Sequence, residues 1–379
     1  MKPQARILHL HSTFSLGGKE ARAARLMNDF GDRAKHVILS AMPEALGARD
    51  AVDPAIAVSF PADAPSLAGK PSPGRYRALA RYMRGFDLIL SYNWGSMDGV
   101  MAHRLGGRTL PPIIHHEDGF NSDESEGLKT KRNLFRRLAF PALHRLVVPS
   151  ARLDAIARDV WKQPRARIEQ IANGIAAARY ALPPEPDALP GFERREGEVV
   201  VGTVAGLREV KDLPRLVRAV APLPDYVRLV IVGEGPERAA IAAQAEACGI
   251  ADRVLLTGFL DRPWRFVGHF DIFALSSQSE QFPISVVEAM AAGLPVAAPA
   301  VGDVATMVSE PNRPMIVDRS EGGELAAVLG KLAGDAALRE RIGAANRARA
   351  LAEYDEEAML ERYRTLYAKA MNRPDFFAR

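Results

Sequence analysis

Two glutamates eight positions apart, Glu280 and Glu288, lie in the stretch 276–296, SSQSEQFPISVVEAMAAGLPV, of this 379-residue chain. The apolar residues before it predict a strand that ends near Leu275. Small polar residues then predict a loop carrying Glu280, and a helix opening near Pro283. Gly293 marks the helix end, because glycine readily takes the left-handed turn that closes a helix. Glu288 falls about a turn and a half into that helix. Backbone N–H groups around 282–285 point back from the helix start, where an anion is well held, so Gln281, Phe282, Pro283 and Ile284 are donor-binding candidates. The arrangement suits a nucleotide sugar, with a diphosphate at the helix start and the two carboxylates accepting from ribose and sugar hydroxyls. A buried amphipathic helix with one stray glutamate fits the same letters.

Other segments offer matching chemistry. The run 204–213, VAGLREVKDL, reads as a strand end, a glycine turn and a basic pair, Arg208 and Lys211, ahead of a helix. Cations there can neutralise a diphosphate leaving group, and solvated surface cations look alike. Gly233, in VGEGP after another apolar run, permits close approach of backbone to a ligand or simply a tight turn. In LGGKE, Gly17 and Gly18 open a helix, a fit for phosphate or sugar and also for an ordinary loop. His115 and His116 end an apolar strand; side chains alternate there, so at most one is expected to face a ligand. Asn93 and Trp94 end another strand with a polar arm and a flat apolar face, suited to a sugar or to a core. The stretch 127–146 sets Lys129, Lys131, Arg132, Arg136 and Arg137 among Leu128, Leu134, Phe135, Leu138 and Phe140. Such a basic amphipathic helix can lie on an anionic membrane or pack one face on its own domain.

The elements that must position these residues follow one rhythm. Apolar runs at 7–11, 36–39, 86–90, 112–115 and 146–148 alternate with helical patterns, the first at 19–30. Residues 181–198, with four prolines and a cluster of charges, predict a linker. A second series follows at 199–204, 227–232, 253–256, 272–275, 295–298 and 315–317, and the chain from 323 onward reads as helical. The fold class expected is α/β, two doubly wound parallel-sheet domains, 1–180 and 199–356, facing a cleft with ligands at the strands' carboxyl ends.

Composition narrows the function classes. Hydrophobic residues make up 47% and charged residues 25%, which suits a globular enzyme and not a disordered or coiled-coil chain. The single cysteine, Cys248, argues against a disulfide scaffold or a cysteine-rich zinc site. The start lacks the apolar run of a signal peptide, and no uncharged apolar stretch of about 18 residues occurs, so a cytoplasmic protein is expected. Residues 1–190 hold 27 Lys/Arg against 19 Asp/Glu, and residues 191–379 hold 23 against 27. That asymmetry hints at an anionic partner for the first half. There is no D-x-D pair, no P-loop, no G-x-G-x-x-G and no G-x-S-x-G, which takes support from kinase, dehydrogenase and hydrolase readings.

Together these segments resemble the retaining GT-B glycosyltransferases of family four, over nearly the whole chain and most strongly at 199–308. Glu280-x7-Glu288 with AMAAGLPV after it resembles the family's E-x7-E element. VGEGP, Gly258-Phe259, Gly17–Glu20 and Asn173-Gly174-Ile175 also match the pattern. The resemblance implies that Glu288 binds the ribose, Glu280 the transferred sugar and Lys211 the diphosphate, with His115 near the reacting carbon. It implies a C-terminal helix, 357–379, packed back on the first domain, and an acceptor side carrying Asn93, Trp94 and His116. The bacterial exopolysaccharide and lipid-linked sugar subgroup looks nearest. Three positions depart from the family: Gly206 stands where it has Arg, Gln281 where Gly is frequent, and Thr306 where Glu is common. The expected function is retaining, metal-independent transfer of a sugar from a UDP- or GDP-linked donor to a hydroxyl acceptor in exopolysaccharide, lipopolysaccharide or glycolipid synthesis. No cofactor and no nucleic-acid partner are expected. Peripheral attachment to the inner face of the cell membrane and a lipid-linked acceptor fit the basic stretch. A nucleotide-sugar epimerase of the same fold and a non-catalytic sugar-binding partner are the alternatives.

Overall fold

The computed structural model of the chain describes residues 4–107, 109–120, 128–318 and 323–378. The chain forms two compact units, Met1–Ala172 with Met359–Arg379, and Asn173–Ala358. The first holds a sheet of β1 (Ala5–His11), β2 (Ala34–Ser40), β3 (Val58–Ser59), β4 (Leu88–Tyr92), β5 (Ile113–His116), β6 (Arg145–Val148) and β7 (Ile168–Gln170). Its spatial order is β3-β2-β1-β4-β5-β6-β7, and every pairing is parallel. The second unit holds β8 (Val199–Val204), β9 (Val227–Val232), β10 (Val254–Gly258), β11 (Ile272–Ala274), β12 (Val296–Pro299) and β13 (Ile316–Val317). Their order is β10-β9-β8-β11-β12-β13, again all parallel. The expected α/β class and both strand series are therefore present.

Parallel strands with helices on both faces bury both sets of side chains, and so read as continuous apolar runs. Along β1, Ile7 packs into one core with Leu88, Leu90 and Tyr363, while Leu8 and Leu10 pack into another with Ile89, Val100 and Leu79. β3 and β7 escaped the apolar-run criterion because one has two residues and the other reads Ile-Glu-Gln at the sheet edge.

Each strand order reverses once, between β1 and β4 and between β8 and β11. At such a reversal the two flanking loops leave in opposite directions, and a crevice opens at the carboxyl ends of the strands. Gly17 and Asn93 follow β1 and β4, and Lys211 and Glu280 follow β8 and β11.

The helix Glu356–Ala370 brings Met359, Leu360, Tyr363, Leu366 and Tyr367 into the core of the first unit. There the Arg364 guanidinium grips both oxygens of buried Asp29, at 2.7 Å each. Residues 182–198 run without helix or strand after the short turn Ala177–Ala181, and the whole of 181–198 counts with the second unit. Leu189 is buried there, and Glu185 accepts from Arg265 Nε at 2.7 Å. Among the described residues no helix is long and apolar enough to cross a membrane.

Candidate active site

In the second unit the loops after β8 and β11 are joined side by side. Lys211 Nζ lies 2.5 Å from Glu280 Oε1, and Ser277 Oγ donates to the same oxygen at 2.7 Å. Two further bonds join the loops, Ser276 Oγ to Lys211 O at 2.9 Å and Gln278 N to Val210 O at 2.8 Å. Lys211 closes a 3-10 turn, Glu209–Lys211, and Asp212 then takes a left-handed φ of 44° that sends the chain into the helix Leu213–Val220. A positive and a negative group so end up adjacent at the reversal of the strand order, both half-buried.

Glu288 is carried by the helix Ile284–Ala291. Val286, Val287, Ala289, Met290 and Ala291 are buried, so the helix is seated by its apolar residues, and Ser285 and Glu288 are its half-buried polar members. Pro283 precedes the first turn, with φ of −69°. The far end is held by Arg347 Nη2, which donates to Ala292 O at 2.7 Å. Gly343 of the helix Ala336–Glu353 faces this end so closely that a Cβ there would stand 1.9 Å from Gly293 O. The Glu288 carboxylate accepts from Tyr180 Oη at 3.0 Å.

The remaining residues expected to bind a donor are placed as follows. Gln281 O accepts from Asp303 N at 3.0 Å, and its Oε1 is buried with no hydrogen-bond partner among the described residues. The Phe282 ring meets Tyr354 edge-on at 5.6 Å, and Ile284 is the first residue of the site helix. Arg208 is exposed. Gly233, with φ of 147°, lies tight against the neighbouring loop: a Cβ would stand 1.8 Å from Ala205 O.

In the first unit, Gly17 and Gly18 are exposed at the start of the helix Gly18–Phe30, where Lys19 pairs with buried Glu20. Asn93 has a φ of 53°, and its Oδ1 accepts from Asp118 N at 2.7 Å, which ties the end of β4 to the loop after β5. Asp118 is gripped at both oxygens by Arg22, at 2.5 and 2.8 Å. Burial alone would raise the Asp118 carboxyl, but the Arg22 charge and hydrogen bonds bring it below the ordinary carboxylate range.

The Trp94 ring is half-buried, with the Arg132 and Arg136 guanidinium groups 5.0 and 5.1 Å from its centroid. His115 is fully buried, with Nδ1 2.9 Å from Ser91 Oγ, Nε2 3.5 Å from Glu117 and its ring against Phe140. His116 points to the opposite face of the sheet, 2.8 Å from Tyr367 Oη and stacked on Tyr92. It belongs to a buried group with His9, His11 and His36, in which His9 Nε2 and His36 Nδ1 share a hydrogen bond of 3.0 Å.

The basic stretch is a helix at Thr130–Ala139; Gly127, its expected first residue, lies outside the described residues. Of its five cations, Arg136 does not reach the surface. Arg136 is buried, donates to Glu117 Oε2 at 3.0 Å and lies 4.9 Å from the Trp161 ring. A carboxylate at the end of β5 and an aromatic enclosure draw that one guanidinium inward. Lys129, Lys131 and Arg137 stay exposed, beside Leu134 and Leu138, which are 56% and 58% exposed. Phe140 is buried.

Sequence reasoning missed Tyr180, Ser277 and the Arg22–Asp118 pair. Asp118 had a readable signal, a polar residue just past an apolar strand. Tyr180 had none, because it meets Glu288 across 108 residues of chain. Among the described residues no group of three or more His, Cys, Asp or Glu is placed to hold a metal ion.

Residues 187–349 match the family "Glycosyl transferases group 1". A D-inositol 3-phosphate glycosyltransferase of Xylanimonas cellulosilytica is 36% identical over 196 residues, 48% of this chain and 46% of that protein. The lipopolysaccharide core biosynthesis glycosyltransferase LpsD of Rhizobium meliloti is 28% identical over 211 residues, 56% of this chain and 59% of that one. The chain thus spans about half the length of these relatives. Among solved structures, Anabaena Alr3699/HepE in complex with UDP superposes with a TM-score of 0.77 at 20% identity, covering 96% of this chain and 100% of that one. The same protein has been solved with UDP-glucose. Residues 187–349, with the paired loops and both glutamates inside them, are thus the part of the chain that matches the glycosyl transferases group 1 family, and the two-sheet fold is that of the GT-B glycosyltransferases.

Proposed function

We propose that this protein is a retaining glycosyltransferase that moves a sugar from a UDP-linked donor to a hydroxyl acceptor without a metal ion. The observation that carries the reading is the Lys211–Glu280 pair at the reversal of the strand order, with Glu288 on the helix that follows. Glu288 accepts from the ribose hydroxyls, Glu280 from the hydroxyls of the sugar, and Lys211 meets the diphosphate. UDP is favoured as the nucleotide because HepE, of the same fold, is solved with UDP and with UDP-glucose. The acceptor oxygen bonds to the anomeric carbon on the face from which the diphosphate departs, and the leaving phosphate oxygen takes the acceptor's proton. Lys211 stabilises the charge that grows on that oxygen. His115, enclosed under Phe140, has no substrate contact in this reading. The acceptor proposed is a lipid-linked or polysaccharide hydroxyl, met at an anionic membrane surface. The exposed Lys131, Leu134, Arg137 and Leu138 and the likeness to LpsD support that part.

The test is incubation of the pure protein with UDP-glucose in EDTA, reading UDP release and the sugar products. Slow UDP release is expected. A binding partner would hold the donor without releasing UDP, and an epimerase would return a different UDP-sugar. Loss of turnover on chelation, restored by Mg²⁺ or Mn²⁺, would overturn metal independence.

A further inference from the structure

Tyr180 belongs to the turn Ala177–Ala181, in the stretch that precedes the second sheet. Its hydroxyl donates to Glu288 Oε1 at 3.0 Å, and the side chain is 5% exposed. Three features fix it there. Ile175 N donates to Tyr354 O at 3.0 Å and Ile175 O accepts from Glu356 N at 2.8 Å, so the chain just before the turn is bonded to the segment after the helix Ala336–Glu353. A Cβ on Gly174 would stand 2.7 Å from Glu356 Cα, so the contact closes only with glycine at that position. The Tyr180 ring meets Trp264 edge-on at 6.5 Å, and the Arg179 guanidinium lies 4.9 Å from the centroid of that indole.

A glutamate on a helix can rotate about three side-chain bonds, and freezing them costs entropy each time a ligand is bound. Two neighbouring hydroxyls of a ribose need the carboxylate in one orientation. A carboxylate has about four acceptor positions, so one given to a buried tyrosine leaves room for a diol. A donor that is already in place and shielded from water sets that orientation before the ligand arrives.

We propose that Tyr180 is a positioning residue for donor binding: its hydroxyl holds the Glu288 carboxylate in the orientation that accepts the ribose diol. The proposal rests on the ribose role of Glu288 given above. Specificity for a ribose with both hydroxyls then depends on a residue that touches no part of the donor.

The experiment is a double-mutant cycle by calorimetry with UDP and with 2′,3′-dideoxy-UDP, on wild type, Tyr180→Phe, Glu288→Ala and the double variant. Phenylalanine keeps the ring against Trp264, and thermal melting checks the fold. Tyr180→Phe should weaken UDP about tenfold, within the range for a hydrogen bond to a charged group. It should leave the dideoxy nucleotide nearly unaffected, and it should add nothing to Glu288→Ala. Equal losses for the two nucleotides, or a further loss in the Glu288→Ala background, would overturn the proposal. If Glu288→Ala weakens UDP and Tyr180→Phe does not, the positioning role alone fails. If Glu288→Ala leaves UDP binding as it was, the ribose reading itself fails.

Discussion

Lys211 and Glu280 neutralise each other across two loops, and both are fixed by serines of the loop after β11: Ser277 on the carboxylate, Ser276 on the Lys211 carbonyl. In the reaction proposed above, a lysine held this way is in place before charge builds on the leaving diphosphate, and its contribution falls mainly on the transition state. Lys211→Ala is therefore expected to lower kcat about 100-fold, the scale of losing one oxyanion donor, with a smaller change in KM. Steady-state kinetics with UDP-sugar check this, and wild-type values in the variant would remove Lys211 from the leaving-group role. The buried histidines make a separate prediction. Burial pushes His36 down to about 4 and His116 to about 3, so the folded chain keeps both neutral in mild acid. The unfolded chain takes up those protons near pH 6.5. Stability must then fall as pH drops from about 6.5 towards 4, by up to about 1.4 kcal/mol per pH unit for each such group. Calorimetric melting across that window should show the slope, and His36→Gln should flatten it. An unchanged slope in that variant would place the proton uptake elsewhere.

At the scale of elements, the basic helix Thr130–Ala139 has two different faces. One is pinned by Arg136 on Glu117 and by the stacking of Arg132 and Arg136 on Trp94. The other sets Leu134 and Leu138 between exposed Lys131 and Arg137. Each cation near an anionic leaflet contributes about 1 kcal/mol, and the attraction fades beyond a Debye length of about 8 Å at physiological salt. The protein is expected to co-sediment with phosphatidylglycerol liposomes at low salt and to be released by about 0.5 M salt, which shortens the Debye length further. Replacing Lys129, Lys131 and Arg137 by glutamine should abolish pelleting and leave UDP binding intact. Arg136 is kept out of that set, because removing it would leave Glu117 buried and unpaired, a loss of stability of several kcal/mol. A native protein that stays in the supernatant at low salt would make this an ordinary solvated face.

For the molecule as a whole, the first unit is assembled from both ends of the chain. Residues 359–378 bury Met359, Leu360, Tyr363, Leu366, Tyr367 and Phe377 in its core. At about 1.5–3 kcal/mol for each large apolar side chain buried, their sum matches the entire stability of an ordinary domain, about 5–15 kcal/mol. Deleting 359–379 should therefore abolish the melting transition of the first unit and preserve that of the second. Scanning calorimetry separates the two, and survival of both transitions would show that the helix adds little to its unit.

The sequence by itself determined the α/β class, two parallel-sheet series, the loops on which Lys211 and Glu280 sit and the helix that carries Glu288. Each of these is written in neighbouring residues: apolar runs for strands covered on both faces, glycine and proline at the turns, a helix bounded by Pro283 and Gly293. Only the tertiary structure decided what each polar side chain meets. Arg136 belongs by pattern to a basic surface, yet a carboxylate from β5 and two tryptophans draw it inside. Gly233 reads as a tight turn or a ligand loop, and the folded chain brings Ala205 O to where its Cβ would stand. His115 and His116, alike in sequence, are sent by strand alternation to opposite cores, one beside Phe140 and one beside Tyr367. Tyr180 reaches Glu288 from 108 residues away. Periodicity and turn chemistry act over a few residues and survive in the letters, whereas pairing between distant side chains depends on how the sheets are ordered and on which helices cover them.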